Sequence, residues 1–287
     1  MDEGLGQYIT RIRELQPGIQ IEAAVINNEG LANDVVVVNG ETVFRFAKGE
    51  FGARALKNEL LVLETVRDRI HLPVPVPGYT NNDVISYPFL RGEALTRTLL
   101  DRLNEPDRMV VMEQLATFLY DLHATPLSAS LPNSTAPVKY QQWLSIRAKV
   151  EEKIYPQLLK HQSDWLNDLF NEMLDNSMNF AYTPRLIHGD LGCYHILFEP
   201  KTRRLSGVID FGVAGIGDPA NDLACLLQYY GLDFVRELAQ WYPWIDEAVM
   251  KRARFYARGL ELEWLLNGME SGEVFWFAAH LGNARGY

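Results

Sequence analysis

Apolar and polar positions along this chain recur with two different periods. Leu5, Ile9, Ile12 and Leu15 fall at helical spacing, which predicts a short amphipathic helix over residues 4–15. After Pro17-Gly18 the period drops towards two and β-branched residues dominate. Ile19–Val25 predicts the start of a strand, and Val35–Val38 and Thr42–Phe46 predict two more. Asn39-Gly40 joins the last two; both residues tolerate positive φ, so the pair predicts a tight hairpin. Helical spacing returns over 52–69, with Leu56, Leu60, Leu63 and Val66 on one side. Pro73, Pro75 and Pro77 then break a loop, and Val84–Leu90 predicts a strand that stops at Arg91-Gly92-Glu93.

From Gly92 the pattern is mainly helical. Over residues 106–123, Met109, Met112, Leu115, Ala116, Leu119 and Leu122 form a stripe that reads as core, and His123 near its end reads as structural. Residues 127–138 are rich in Ser and Pro and read as a loop. Residues 139–178 carry two helical patterns. Residues 232–241, 245–267 and 271–282 are also predicted helical, with Gly268 and Gly272 marking a break between the last two. Between these blocks, Arg185–Ile187 predicts a buried strand. Ile196–Phe198 and Leu205–Ile209 predict a hairpin around the polar turn Glu199–Arg204.

Composition narrows the setting more than the chemistry. A length of 287 residues fits two modest domains or one large one. The net charge of −10 argues against nucleic acid as a partner, because phosphate neutralisation needs clustered Lys and Arg. It is consistent with a cationic substrate drawn to an acidic cleft. No apolar run approaches a membrane span, and Met1-Asp2-Glu3-Gly4 lacks a basic segment followed by an apolar one, so a cytoplasmic protein is expected. Cys193 and Cys225 are too few for a disulfide framework; Cys193 reads as a small apolar filler.

The chemistry is concentrated in His188-Gly189-Asp190-Leu191-Gly192-Cys193-Tyr194-His195 and in Ile209-Asp210-Phe211-Gly212. The strand ending at Ile187 delivers His188 and Asp190 into a turn opened by Gly189. The hairpin then brings Asp190, His195 and Asp210 to the same end of one small sheet. Phosphoryl transfer needs such a set: a carboxylate to orient a hydroxyl and take its proton, and rigid ligands for the nucleotide's Mg²⁺. The competing reading is a hairpin with a turn-forming Asp at one end and a solvated Asp at the other. Joint occurrence with Gly217-Asp218-Pro219-Ala220-Asn221-Asp222-Leu223 favours the first. In that segment Asp218 reads as a helix N-cap with Pro219 at the first helical position.

These motifs resemble the catalytic loop and Asp-Phe-Gly segment of protein kinases, in the branch that carries His-Gly-Asp: the aminoglycoside phosphotransferase family of antibiotic kinases. Most of that superfamily has Asn where His195 stands. A His there resembles the aminoglycoside 2''-phosphotransferases and the macrolide 2'-phosphotransferases. The resemblance implies an α+β, protein-kinase-like two-lobed fold, with a small antiparallel-sheet lobe (residues 1–91) that binds nucleotide and a larger, mainly helical lobe (residues 92–287). It implies Asp190 as catalytic base and His195 and Asp210 as metal ligands. It also implies that His188 and Asp222 support the catalytic loop.

By the same resemblance the loop 26–34, with Asn28, Gly30 and Asn33, covers the phosphates of GTP or ATP. Arg45 or Lys48 holds phosphate, the residues alone leaving both open, and Glu59 pairs that cation. Tyr87 and Phe89 lie near the base, where a bulky Tyr87 favours GTP; Tyr87 as a core residue stays open. The helical block at 139–178 forms one wall of the substrate cleft. Asp233, Glu237, Glu261 and Trp264 are candidate contacts for a polycationic sugar, which needs carboxylates and an aromatic plane; solvated helix faces are the other reading of each. The implied activity is transfer of a γ-phosphoryl group to a hydroxyl of an aminoglycoside, with Mg²⁺, by a monomer. A macrolide or a metabolite such as an amino sugar or choline-like amine is the alternative acceptor.

Overall fold

The computed structural model describes residues 3–272. Helix α1 (Glu3–Leu15) precedes strands β1 (Ala24–Asn27), β2 (Asn33–Val38) and β3 (Thr42–Ala47), helix α2 (Gly49–Val66), and strands β4 (Tyr79–Thr80) and β5 (Val84–Pro88). The strands form an antiparallel sheet of order β1-β2-β3-β5-β4. Asn39 and Gly40 take φ of 54° and 63°, the left-handed pair that a tight hairpin requires.

Alternation splits this sheet into two faces. Val36, Val38, Phe44, Phe46 and Val84 pack under Ile12 of α1. Val43, Ile85 and Tyr87 face Leu56 of α2. Ile12 is fully buried, a contact worth about 1.5–3 kcal/mol relative to exposure. The strand expected from Ile19 begins only at Ala24. Before it, the Asn39 side chain accepts from the backbone N–H groups of Glu22 and Ala23 at 2.9 and 3.0 Å. That side chain supplies partners where a ladder would otherwise run.

Past β5 the chain crosses to the second half. It first adds a two-residue strand, β6 (Glu93–Ala94), and turns helical only at α3 (Arg97–Asp101), a few residues later than the pattern at Gly92 suggests. Then follow α4 (Glu105–Ala124), α5 (Ala136–Lys153), α6 (Lys160–Leu174), β7 (Arg185–Ile187), β8 (Ile196–Glu199), β9 (Arg204–Val208), β10 (Gly215–Gly217), α7 (Ala220–Tyr230), α8 (Leu232–Leu238) and α9 (Glu247–Ser271). The core gathers α4, α7 and α9 around Phe118, Leu223 and Ala253. Helix α5 closes on α9 through Trp143, and a Cβ on Gly259 would sit 2.1 Å from that ring.

Two expectations are corrected here. Strand β8 of the hairpin pairs with β6 on one side and β9 on the other, whereas β7 pairs with β10 in a separate two-stranded sheet. The catalytic segments therefore leave two small sheets, not one. Gly215 lies opposite Ile187 in that pair, and a Cβ there would stand 2.8 Å from the Pro132 carbonyl, so glycine lets the Pro132 backbone approach β10. Helix α9 runs through Gly268 and ends at Gly272, whose φ of 75° is the left-handed C-terminal cap. The helix predicted over 271–282 otherwise lies outside the described residues.

Candidate active site

Strand β7 delivers the catalytic loop from the core. His188 is fully buried. Its Nε2 donates to the Ile209 carbonyl at 3.0 Å and its Nδ1 accepts from the Asp190 N–H at 3.3 Å. One donor and one acceptor require the neutral ring. Burial, with the neighbouring His195, lowers its proton affinity and keeps it so. Gly189 turns the chain at φ 82°, and a Cβ there would press on the Val213 carbonyl at 3.0 Å. Asp190 emerges with its side chain 48% exposed.

Beneath the loop lies Asp222, fully buried, from the first turn of α7. It accepts from the N–H groups of His188 and Gly189 at 2.9 and 2.8 Å, and from His123 Nε2 at 3.0 Å. Tyr242 in turn donates to His123 Nδ1 at 2.5 Å. Burial opposes the charge on Asp222, but hydrogen bonds from His123 and from the His188 backbone outweigh it and hold the carboxyl below its usual range. Asp218, read as a helix cap, does accept from the Ala220 N–H at 3.0 Å. It is mainly a buried partner of Arg252, at 2.6 Å.

Asp210 adopts φ 67°, a left-handed conformation that turns its carboxylate towards the catalytic loop. Its Oδ1 accepts from Arg45 Nη2 at 2.9 Å, and its Oδ2 lies 3.6 Å from His195 Nε2. Burial pushes the Asp210 carboxyl up, yet Arg45 and His195 outweigh it and leave it below the usual range. His195 Nδ1 donates to the Asp190 carbonyl at 2.7 Å. That bond fixes the tautomer and leaves the Nε2 lone pair facing Asp210, the arrangement of a metal-binding His with its other nitrogen anchored. No group of three or more His, Cys, Asp or Glu is placed to hold a metal ion by itself among the described residues. A pair of protein ligands fits a Mg²⁺ whose other ligands are phosphate and water.

Across the cleft, Arg45 Nη1 spans both Glu59 oxygens at 2.8 Å, with both side chains buried. Burial pushes the Glu59 carboxyl up, to about 7, while Arg45 pulls against that shift. A cleft of about 250 Å³ is bounded by Gly30, Asn33, Arg45, Tyr87, Phe89 and Asp210. Lys48 is engaged elsewhere: its Nζ donates to the carbonyls of Asn28 and Gly30 at 2.6 Å and pairs with Asp34 at 3.1 Å. It braces the loop 28–32 from outside, so of the two candidate cations Arg45 is the one in the cleft. Tyr87 is both core and cleft wall, packed against Val43 and Leu56.

The family model described as phosphotransferase enzyme family matches residues 24–256. The chain belongs to that family. Viomycin phosphotransferase of Streptomyces vinaceus is 28% identical over 251 residues, covering 83% of this chain and 85% of the relative. Among solved structures, the GDP and kanamycin complex of APH(2")-IIia superposes with a TM-score of 0.87 at 28% identity, over 96% of both chains. A macrolide 2'-phosphotransferase type I superposes at 0.77 with 22% identity, over 98% of this chain and 96% of its own, a likeness of fold. The sheet lobe, the helical remainder and the kinase-like arrangement are thus those of a phosphotransferase.

The remaining candidates of this phosphotransferase divide. Asp233 is 98% exposed and pairs with Arg236 on its own helix. Glu237 pairs with Arg108 near the start of α4; from there to His123 the helix rises about 22 Å. The structure brings neither to Asp190. Glu261 is exposed and Trp264 half-buried on α9, with the core residue Leu262 between them. Sequence reasoning missed Tyr194 and Tyr229, joined by a 3.2 Å hydroxyl hydrogen bond; burial raises both phenols, and the nearby Asp190 charge adds to it. Position 194, beside His195, was the available signal. Burial pushes the Cys193 thiol up to about 11, away from the thiolate a nucleophile needs. Among the described residues no helix is long and apolar enough to cross a membrane.

Proposed function

We propose that this chain transfers the γ-phosphoryl group of GTP or ATP to a hydroxyl of an aminoglycoside-type small molecule, in the manner of the 2''-phosphotransferases. The observation that carries the reading is Asp190, half exposed, with its backbone carbonyl bound to a His195 whose free nitrogen faces Asp210. Likeness at 28% identity to an enzyme solved with GDP and kanamycin supports the choice of co-substrate and acceptor.

In this mechanism the acceptor hydroxyl lies against Asp190, which orients it and takes its proton as oxygen attacks the γ-phosphorus. The bond to the bridging oxygen breaks and a nucleoside diphosphate leaves. His195 and Asp210 would hold Mg²⁺, which when bound would neutralise charge on the phosphates. Arg45 holds phosphate, Glu59 positions Arg45, and the loop with Asn28, Gly30 and Asn33 closes over the nucleotide. Tyr87 and Phe89 border the base, and the bulk of Tyr87 favours GTP. The lobes divide between residues 91 and 92, and the enzyme works as a cytoplasmic monomer on a cationic small molecule, without nucleic acid.

The test is nucleoside diphosphate release by the purified protein with Mg²⁺, comparing GTP and ATP, with and without kanamycin. Strong kanamycin-dependent release, larger with GTP, is expected. Bound nucleotide with no stimulation overturns the aminoglycoside assignment and moves the acceptor to macrolides or small metabolites.

A further inference from the structure

A second pocket, of about 280 Å³, opens between the start of α5 and the catalytic loop, with Ser134, Lys139, Tyr182, Gly189 and Asn221 among its walls. Gly189 adjoins Asp190, so this pocket lies beside the point where the proposed acceptor reacts. Lys139 is half-buried in it, its Nζ 5.2 Å from the centre of the Tyr256 ring. Among the described residues, no hydrogen bond or ion pair engages that ammonium.

The carboxylates nearby do not neutralise it by contact. Asp218 is occupied by Arg252 at 2.6 Å and Tyr256 at 2.9 Å. Glu263, on α9, acts on Lys139 through space but forms no ion pair with it. Burial accordingly lowers the proton affinity of Lys139, with Glu263 and Asp218 pulling the other way. An ammonium has three donors and no acceptor. On a pocket wall, short of partners, it is satisfied by oxygen from a ligand and repels a second ammonium.

We propose that Lys139 sets the charge selectivity of the acceptor pocket: its corner takes hydroxyl or carboxylate oxygens of the acceptor and turns an ammonium away. This rests on the reading of Asp190 as the base beside the acceptor. It narrows the aminoglycoside class to molecules that present hydroxyls, not amines, to α5.

The experiment is calorimetric binding of kanamycin, a polycation, to the full chain and to Lys139→Met, Lys139→Gln and Lys139→Arg, with GDP binding as the control for folding. Met and Gln are expected to tighten kanamycin on the order of tenfold, the scale of one charge repulsion. Arg is expected to bind as the unaltered chain does, and all four proteins to bind GDP alike. Kanamycin binding that is unchanged, weaker or absent in both uncharged variants overturns the proposal, as does equal tightening by Arg. Tighter binding in Met and Gln without kanamycin phosphorylation in any protein supports Lys139 and counts against the aminoglycoside reading alone.

Discussion

Arg45 and Asp210, 165 residues apart, are joined by a 2.9 Å hydrogen bond that ties the floor of the sheet lobe to the turn after β9. The same guanidinium grips Glu59. One side chain therefore links strand β3, helix α2 and Asp210. Removing it leaves Glu59 buried without its cation. Arg45→Ala is expected to cost about 3–5 kcal/mol of stability in urea unfolding. Arg45→Met with Glu59→Leu is expected to regain most of that while nucleotide binding stays lost. A double variant that binds nucleotide normally removes Arg45 from the phosphate site.

The Asp190 carboxylate is half exposed, and its neighbour His195 Nδ1 stands 3.8 Å away, so its replacement tests chemistry more than folding. Asp190→Asn is expected to lower turnover by about 10²–10⁴, the range of general-base assistance. Nucleotide affinity and the unfolding midpoint stay as they are. Turnover kept within a few-fold of the unaltered enzyme removes Asp190 as base.

Asp222 never touches the cleft, yet it holds two successive N–H groups of the catalytic loop. Asp222→Asn is expected to lower kcat on the order of 100-fold through misplacement of Asp190, with the nucleotide KM little changed. Because the folded-state carboxyl lies below its unfolded value of about 3.9, its contribution to stability is present above that pH and is lost as pH falls through the folded value. Acid unfolding below pH ~4 should thus be shallower in Asp222→Asn. Identical acid curves for the two proteins refute the assignment.

Lys48 stands outside the cleft but fastens the loop that borders it. The pair it forms with Asp34 is partly exposed, so its energetic weight is small. Lys48→Ala is expected to raise the nucleotide KM by up to about fivefold, with kcat retained. Limited proteolysis should cut near Gly30 faster. A large kcat loss instead means that Lys48 reaches the phosphates.

What the sequence disclosed was whatever is local in the chain. Asn39-Gly40 dictates its own left-handed turn, and the His188–His195 loop carries its chemistry within eight neighbours. What it hid depends on distant partners. Asp218 looks like a helix cap until Arg252, 34 residues on, closes on it. Nothing near Arg185 foretells that β7 pairs with β10 and not with the hairpin. Asp233 and Glu237 share a helix face, but which way α8 points depends on its packing against α7 and α4. Lys139 is one cation in a predicted helical block, and only the fold puts it beside Gly189.

His195, proposed as the second metal ligand, departs from the oxygen donors that Mg²⁺ prefers, but its geometry suits that role. Nδ1 is spent on the Asp190 carbonyl, so the ring cannot swing, and Nε2 meets Asp210 across 3.6 Å. A nitrogen donor strengthens binding of Mn²⁺ relative to Mg²⁺ more than an amide oxygen does. His195→Asn is therefore expected to shift the preference towards Mg²⁺. His195→Ala, with no donor, raises the half-maximal concentration of both ions. The measurement is turnover against each metal concentration at saturating nucleotide. If the Mn²⁺-to-Mg²⁺ ratio is the same in all three proteins, His195 is only a brace for the Asp190 backbone, and Asp210 alone supplies the protein's ligand.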